Sequence, residues 1–146
     1  MGLWTYGHNF YIAARALVDK NDPNTRIPAY YLISHCIEVT LKAYLRGAGV
    51  SLEDLKNPKK YGHNLEKCLK KALDKDVQKL IQISDIEKLA IEMINEYYMD
   101  KQLNYIKTGY KEFPQISVLV EFAERLLQSI NKFCFDNRDL HANAPA

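Results

Sequence analysis

No Cys-x-x-Cys pair occurs in this chain, and its three cysteines, Cys36, Cys68 and Cys134, lie far apart. An odd, scattered set argues for reduced thiols in a cytosolic protein, each a small core hydrophobe. An excess of charge is missing too. The formal net charge is +2 over 146 residues, so no global field singles out a nucleic-acid partner. No hydrophobic run reaches membrane length: between Arg26 and Glu38 only eleven residues pass without Asp, Glu, Lys or Arg, too few to span. The opening "MGLWTYGHNF" lacks the basic start and apolar block of a signal peptide. These absences lead to the expectation of a soluble, cytoplasmic protein with no membrane partner. No GxSxG, Walker loop, GxGxxG or HExxH is present, so the common catalytic signatures are excluded and no cofactor is expected. No stretch alternates at period two, and no 20–50-residue repeat appears.

What is present is helical. Hydrophobic content of 47% and charged content of 26% are ordinary globular values, which rules against wholesale disorder and gives one domain over 1–146. Phe10, Ala13, Ala14 and Leu17 recur at helical spacing and predict a first helix over 5–20. Pro23 and Pro28 each push the preceding residue away from helical geometry, and Pro28 opens a second helix that Gly47 and Gly49 release. Ser51 starts a short turn, and Asn64 caps a third helix, "LEKCLKKALDK". Ser84 and Glu87 form a capping box for a fourth helix running to about residue 103. A fifth spans about 117–136, and residues 137–146 read as a flexible tail. Long helices with short links give an all-α, antiparallel four- to five-helix bundle.

The second helix carries the most information. On a wheel of 100° per residue, Tyr31, His35, Glu38, Lys42 and Arg46 share a strip of about 80°. Apolar groups cover about two thirds of the circumference, whereas a surface helix buries a stripe of about 100°. This helix is therefore expected at the centre. Three readings of its strip stay open. It is a solvent window with an ordinary Glu38–Lys42 salt bridge, or a desolvated lock in which the pair is joined by a third group such as His63. The third reading is an anion site built from His35, Lys42 and Arg46. His35, Glu38 and His63 are metal-ligand types, but His-x-x-Glu is a weak signal and a structural histidine is the commoner outcome, so no metal is expected.

"HCIEVTLKAYLRGAG", followed by a basic loop and "YGHNLEKCLKKAL", resembles the HEPN family of all-helical domains. That family places a Glu, three residues and Lys-Ala in its second helix, matched here by Glu38, Lys42 and Ala43. A Gly/His-Asp-Leu start to the next helix is matched by His63, Asn64 and Leu65, with Asn64 in place of Asp; both cap. "FYIAARAL", with Arg15, and "LNYIKTGYKEFP" are similar to the flanking HEPN segments, so the likeness covers most of 5–115. It implies a homodimer, a bacterial defence or toxin–antitoxin setting, and a nucleotidyltransferase-type protein partner. Many family members are metal-independent ribonucleases whose Arg precedes a His by four to six intervening residues. Here none of Arg15, Arg26, Arg46, Arg125 and Arg138 is followed by His at that spacing, and the nearest approach is Arg138 to His141. The nuclease activity is accordingly not carried over.

Basic charge is local. Lys56, Lys59, Lys60, Lys67, Lys70, Lys71 and Lys75 face only Glu66 and Asp74 between residues 56 and 75. That segment suits phosphate contacts, although lysine-rich faces also serve solubility. Tyr105 and Tyr110, interleaved with Lys101, Lys107 and Lys111, suit base stacking. The reading is a non-catalytic HEPN-like module for RNA, a nucleotide or a protein partner. Its binding candidates are Lys42, Arg46, Lys59, Lys60, His63, Lys67, Lys70, Lys71, Tyr105 and Tyr110. The rival is a metal-independent endoribonuclease using Arg15, His35, Glu38 and His63.

Overall fold

The computed structural model describes residues 2–99 and 112–138. Among these the chain forms α1 (Leu3–Lys20), α2 (Arg26–Gly47), α3 (Leu52–Lys56), α4 (Leu65–Asp74), α5 (Asp85–Met99) and α6 (Ile116–Asn137), with 3-10 turns at Pro23–Thr25 and Val77–Lys79. No strand occurs among the described residues, so the fold is an all-α antiparallel bundle. None of their helices is long and apolar enough to cross a membrane.

α2 is the hub, and every other α-helix packs on it. Ile33, Ile37, Leu41 and Leu45 run along its buried sides and share one core with Ile91 and Ile94 of α5 and Leu119, Phe122 and Leu126 of α6. α1 lies antiparallel to α2, with Gly7 against Thr40 while Phe10 meets His35. A Cβ at position 7 would run into the Thr40 hydroxyl, so glycine permits this close approach. Trp4 at the other side donates its indole N–H to the Leu127 carbonyl at 2.8 Å and ties α1 to α6.

The capping residues stand where the sequence puts them. Ser51 accepts from the Asp54 amide at 3.1 Å, and Asn64 accepts from the Lys67 amide at 3.1 Å. At α5, Glu87 accepts from the Ser84 amide at 3.0 Å while Ser84 Oγ accepts from the Glu87 amide at 3.2 Å. Both halves of a capping box are thus formed. Glu87 also pairs with Arg125, which pins the start of α5 to α6. Buried Asn95 accepts from the Leu65 amide at 2.7 Å and donates to Asn64 Oδ1 at 3.1 Å, which fixes the start of α4 on α5.

Two helix starts differ most from expectation, and α6 runs on to Asn137, the first residue of the expected tail. α1 begins at Leu3, two residues early. α2 begins at Arg26, before Pro28, so Ile27 is helical despite the proline after it. Pro28 occupies the first turn, where a backbone N–H has no intrahelical acceptor to lose. Residues 100–103 of the expected fourth helix and 139–146 of the expected tail lie outside the described residues.

The capping box should be measurable. Ser84→Ala is expected to lower stability by about 1 kcal/mol in urea unfolding, the usual worth of an N-cap side chain. An unchanged midpoint would mean that the cap adds nothing.

Candidate functional site

The polar strip of α2 does not face water. Glu38 is 2% exposed, and an ionised carboxylate in such a place must be met by donors. Lys42 Nζ, one turn on, donates to Oε1 at 2.8 Å. His63, from the loop before α4, approaches the same oxygen with Nδ1 at 3.0 Å. Tyr98 of α5 donates its hydroxyl to Oε2, and His35 Nδ1 lies 3.3 Å from that oxygen and 2.7 Å from the Tyr98 hydroxyl.

Burial alone would push the Glu38 carboxyl up. The hydrogen bonds from His35, Lys42 and Tyr98 outweigh it and hold the group at about 2, below its ordinary 4.5. Burial and the adjoining Glu38 charge push the Tyr98 phenol far above its usual value, so it stays a proton donor. An ionised carboxylate only accepts, so the His63 nitrogen facing it carries hydrogen. Tyr98 spends its proton on Glu38, so His35 Nδ1 must likewise carry hydrogen, shared between the Tyr98 oxygen and Glu38 Oε2. In the neutral rings this leaves both Nε2 atoms bare.

The cluster also holds the backbone. Lys42 Nζ makes a second bond, to the Gly62 carbonyl at 2.5 Å. Gly62 takes φ +51°, and a Cβ there would crowd the Pro58 carbonyl at 3.1 Å, so glycine is what lets the loop turn its carbonyl to Lys42. Aromatic rings shelter the other side. Phe10 meets His35 edge-on at 4.4 Å, and Tyr31 lies parallel to it at 6.1 Å.

The strip is therefore the lock. The solvent-window reading fails because Glu38 is buried, and the anion-site reading is divided because its members go to different places. Lys42 is already engaged by Glu38 and Gly62. Arg46 lies further along, where it donates to the Val50 carbonyl at 3.5 Å and lines a cleft of about 550 Å³ with Trp4 and Phe135. Of the rival catalytic set, His35, Glu38 and His63 come together. Arg15 is not with them; it sits exposed on α1 and pairs with Asp19 at 3.2 Å.

The basic segment keeps most of its expected surface. α4 buries Leu65, Cys68, Leu69 and Ala72, which turns Lys67 and Lys70 outward, while Lys71 is half-buried. Lys59 and Lys60 are exposed in the loop, and Lys60 pairs with Asp54 at 2.7 Å. Tyr105 and Tyr110 lie outside the described residues. Family models, curated proteins and solved structures, compared with this chain, yield no match. The site is accordingly read from its own chemistry.

Sequence reasoning missed Tyr98 and the Gly62 carbonyl. Tyr98 could have been found, because Ile91, Ile94 and Tyr98 recur at i, i+3 and i+7 on the buried face of α5. The Gly62 carbonyl carries no side-chain signal.

A group held below its unfolded value stabilises the fold above that value and loses this contribution as pH falls. For Glu38 the window runs from about 4.5 down to about 2. Glu38→Ala is expected to cost on the order of 3 kcal/mol at pH 7 by thermal or urea melts, because it strands Lys42 and its partners. The gap from wild type should narrow as pH drops through that window. A loss below about 1 kcal/mol would mark an ordinary surface pair instead.

Proposed function

We propose that this chain is a non-catalytic HEPN-like module that binds RNA through the lysine-rich segment 56–75. In this reading it works as a homodimer in a bacterial defence or toxin–antitoxin setting, beside a nucleotidyltransferase-type partner. The kinship rests on Glu38, Lys42 and Ala43 in a central helix, and on His63, Asn64 and Leu65 opening the next long element.

One observation carries the binding reading. The lock fastens the loop through Gly62 and His63 to α2, and Asn95 fastens the start of α4 to α5. The exposed Lys59, Lys67 and Lys70 are thereby presented from an ordered frame. A positive ridge ordered before contact spends less conformational entropy on meeting phosphates than a mobile tail would. Against catalysis, the Glu38 carboxylate already accepts from donors on both oxygens and is held ionised by them.

The ribonuclease reading keeps one specific support. His63 is 57% exposed and holds its Nδ1 toward a buried carboxylate, which leaves Nε2 placed as a base in the manner of carboxylate–histidine pairs.

Fluorescence anisotropy with a labelled single-stranded RNA, in chelator and at two salt concentrations, tests the proposal. Salt-sensitive binding without cleavage is expected from a protein of twice the chain mass by light scattering. Replacing Lys67 and Lys70 together by Glu should weaken it by at least about tenfold and flatten the salt dependence. RNA cleavage abolished by His63→Ala would put the ribonuclease in its place, and no binding at low salt would remove both.

A further inference from the structure

Three side chains from two separate parts of the chain converge on one spot. His35 and Glu38 sit one turn apart on α2, His63 comes from the loop before α4, and one ligand-type atom of each lies within 4.8 Å of the others. Around Glu38 Oε2 the spacing is close to that of a coordination shell. His35 Nδ1 is 3.3 Å away and His63 Nδ1 is 3.2 Å away. Zinc bonds of about 2.0–2.1 Å in a tetrahedron place neighbouring ligand atoms about 3.3 Å apart. Two edges of a two-histidine, one-carboxylate site are thus already set. The third closes by a small movement of His63, which stands exposed on its loop.

We propose that His35, Glu38 and His63 form a binding site for a borderline divalent cation of the zinc class, through Nδ1, Oε2 and Nδ1, with a water in the fourth position. The donor set suits that class, since imidazole and carboxylate together favour zinc over magnesium or calcium. A supporting shell is in place around it. Lys42 holds the other carboxylate oxygen at 2.8 Å, so a metal on Oε2 has the Tyr98 hydroxyl alone to turn aside besides the two imidazole N–H groups. Phe10 and Tyr31 fix the His35 ring, and Tyr98 borders both Oε2 and the His35 nitrogen. Such partners orient ligands and tune a site. Neutral imidazoles lose no net proton on binding: each carries its hydrogen on Nε2 in place of Nδ1. The Lys42 ammonium opposes a second positive charge nearby and so weakens the binding. The site shares Glu38 and His63 with the lock that orders the lysine-rich segment, but its ligands are not the exposed lysines, so zinc binding is read without RNA.

Titration calorimetry of the chelator-treated full chain with zinc chloride tests it, with cobalt chloride as a spectroscopic probe. One ion per chain and the intense visible bands of four-coordinate cobalt are expected, in the absence of RNA. His63→Gln keeps an N–H for Glu38 while removing an imidazole ligand. It should melt like the wild type without metal and bind zinc at least about tenfold more weakly. If that variant does not fold, His35→Gln takes its place with the same expectation. No saturable binding, or zinc bound by the variant as tightly as by the wild type, would overturn the site.

Discussion

A carboxylate buried in a helical core has to be answered by hydrogen-bond donors, and the described part of this protein is arranged around one such answer. Glu38 lies on the central helix and is almost wholly buried. Its donors come from α2 itself, from the loop that leads into α4, and from α5. A charge pair inside a protein rarely stabilises it more than well-packed hydrocarbon would. What it supplies here is position, since a carboxylate accepts only from groups brought to hydrogen-bonding distance. The loop containing Gly62 and His63 packs only Tyr61 against the core, and these polar bonds add to that hold.

That arrangement connects the interior to the surface. The bonds that satisfy Glu38 hold the loop at Gly62 and His63, and Asn95 then fixes the start of α4 on α5. Because α4 buries Leu65, Cys68, Leu69 and Ala72, its direction decides where Lys67 and Lys70 point. The lock and the basic face are therefore one construction: an inner charge network orders the segment, and the segment presents charge outward. Histidine 63 belongs to both sides, with one ring nitrogen toward the buried carboxylate and the remainder of the ring exposed.

Much of this was legible in the sequence. Helix starts with a side-chain mechanism, at Ser51, Asn64 and Ser84, were readable because capping is local chemistry. The hub was readable because α2 is apolar around most of its circumference, which no surface helix needs. The strip was narrowed to three readings and no further, because periodicity shows which residues share a face and not what packs on it. Arg46 shares the wheel strip with Glu38 yet ends beside Trp4 and Phe135, since the strip spans four turns and different neighbours cover each end. Tyr98 and the Gly62 carbonyl come from segments distant in sequence, and only the tertiary fold brings them to Glu38.

The account rests on Glu38 being ionised inside the bundle. Following the Glu38 side-chain carboxyl carbon by NMR through an acid titration of the metal-free protein addresses that directly. The expected midpoint is about 2, reached together with loss of the native spectrum as the lock opens. A midpoint near the ordinary 4.5 in a protein that stays folded would contradict it, and would leave the carboxylate as a passenger on a helix held by its hydrocarbon alone.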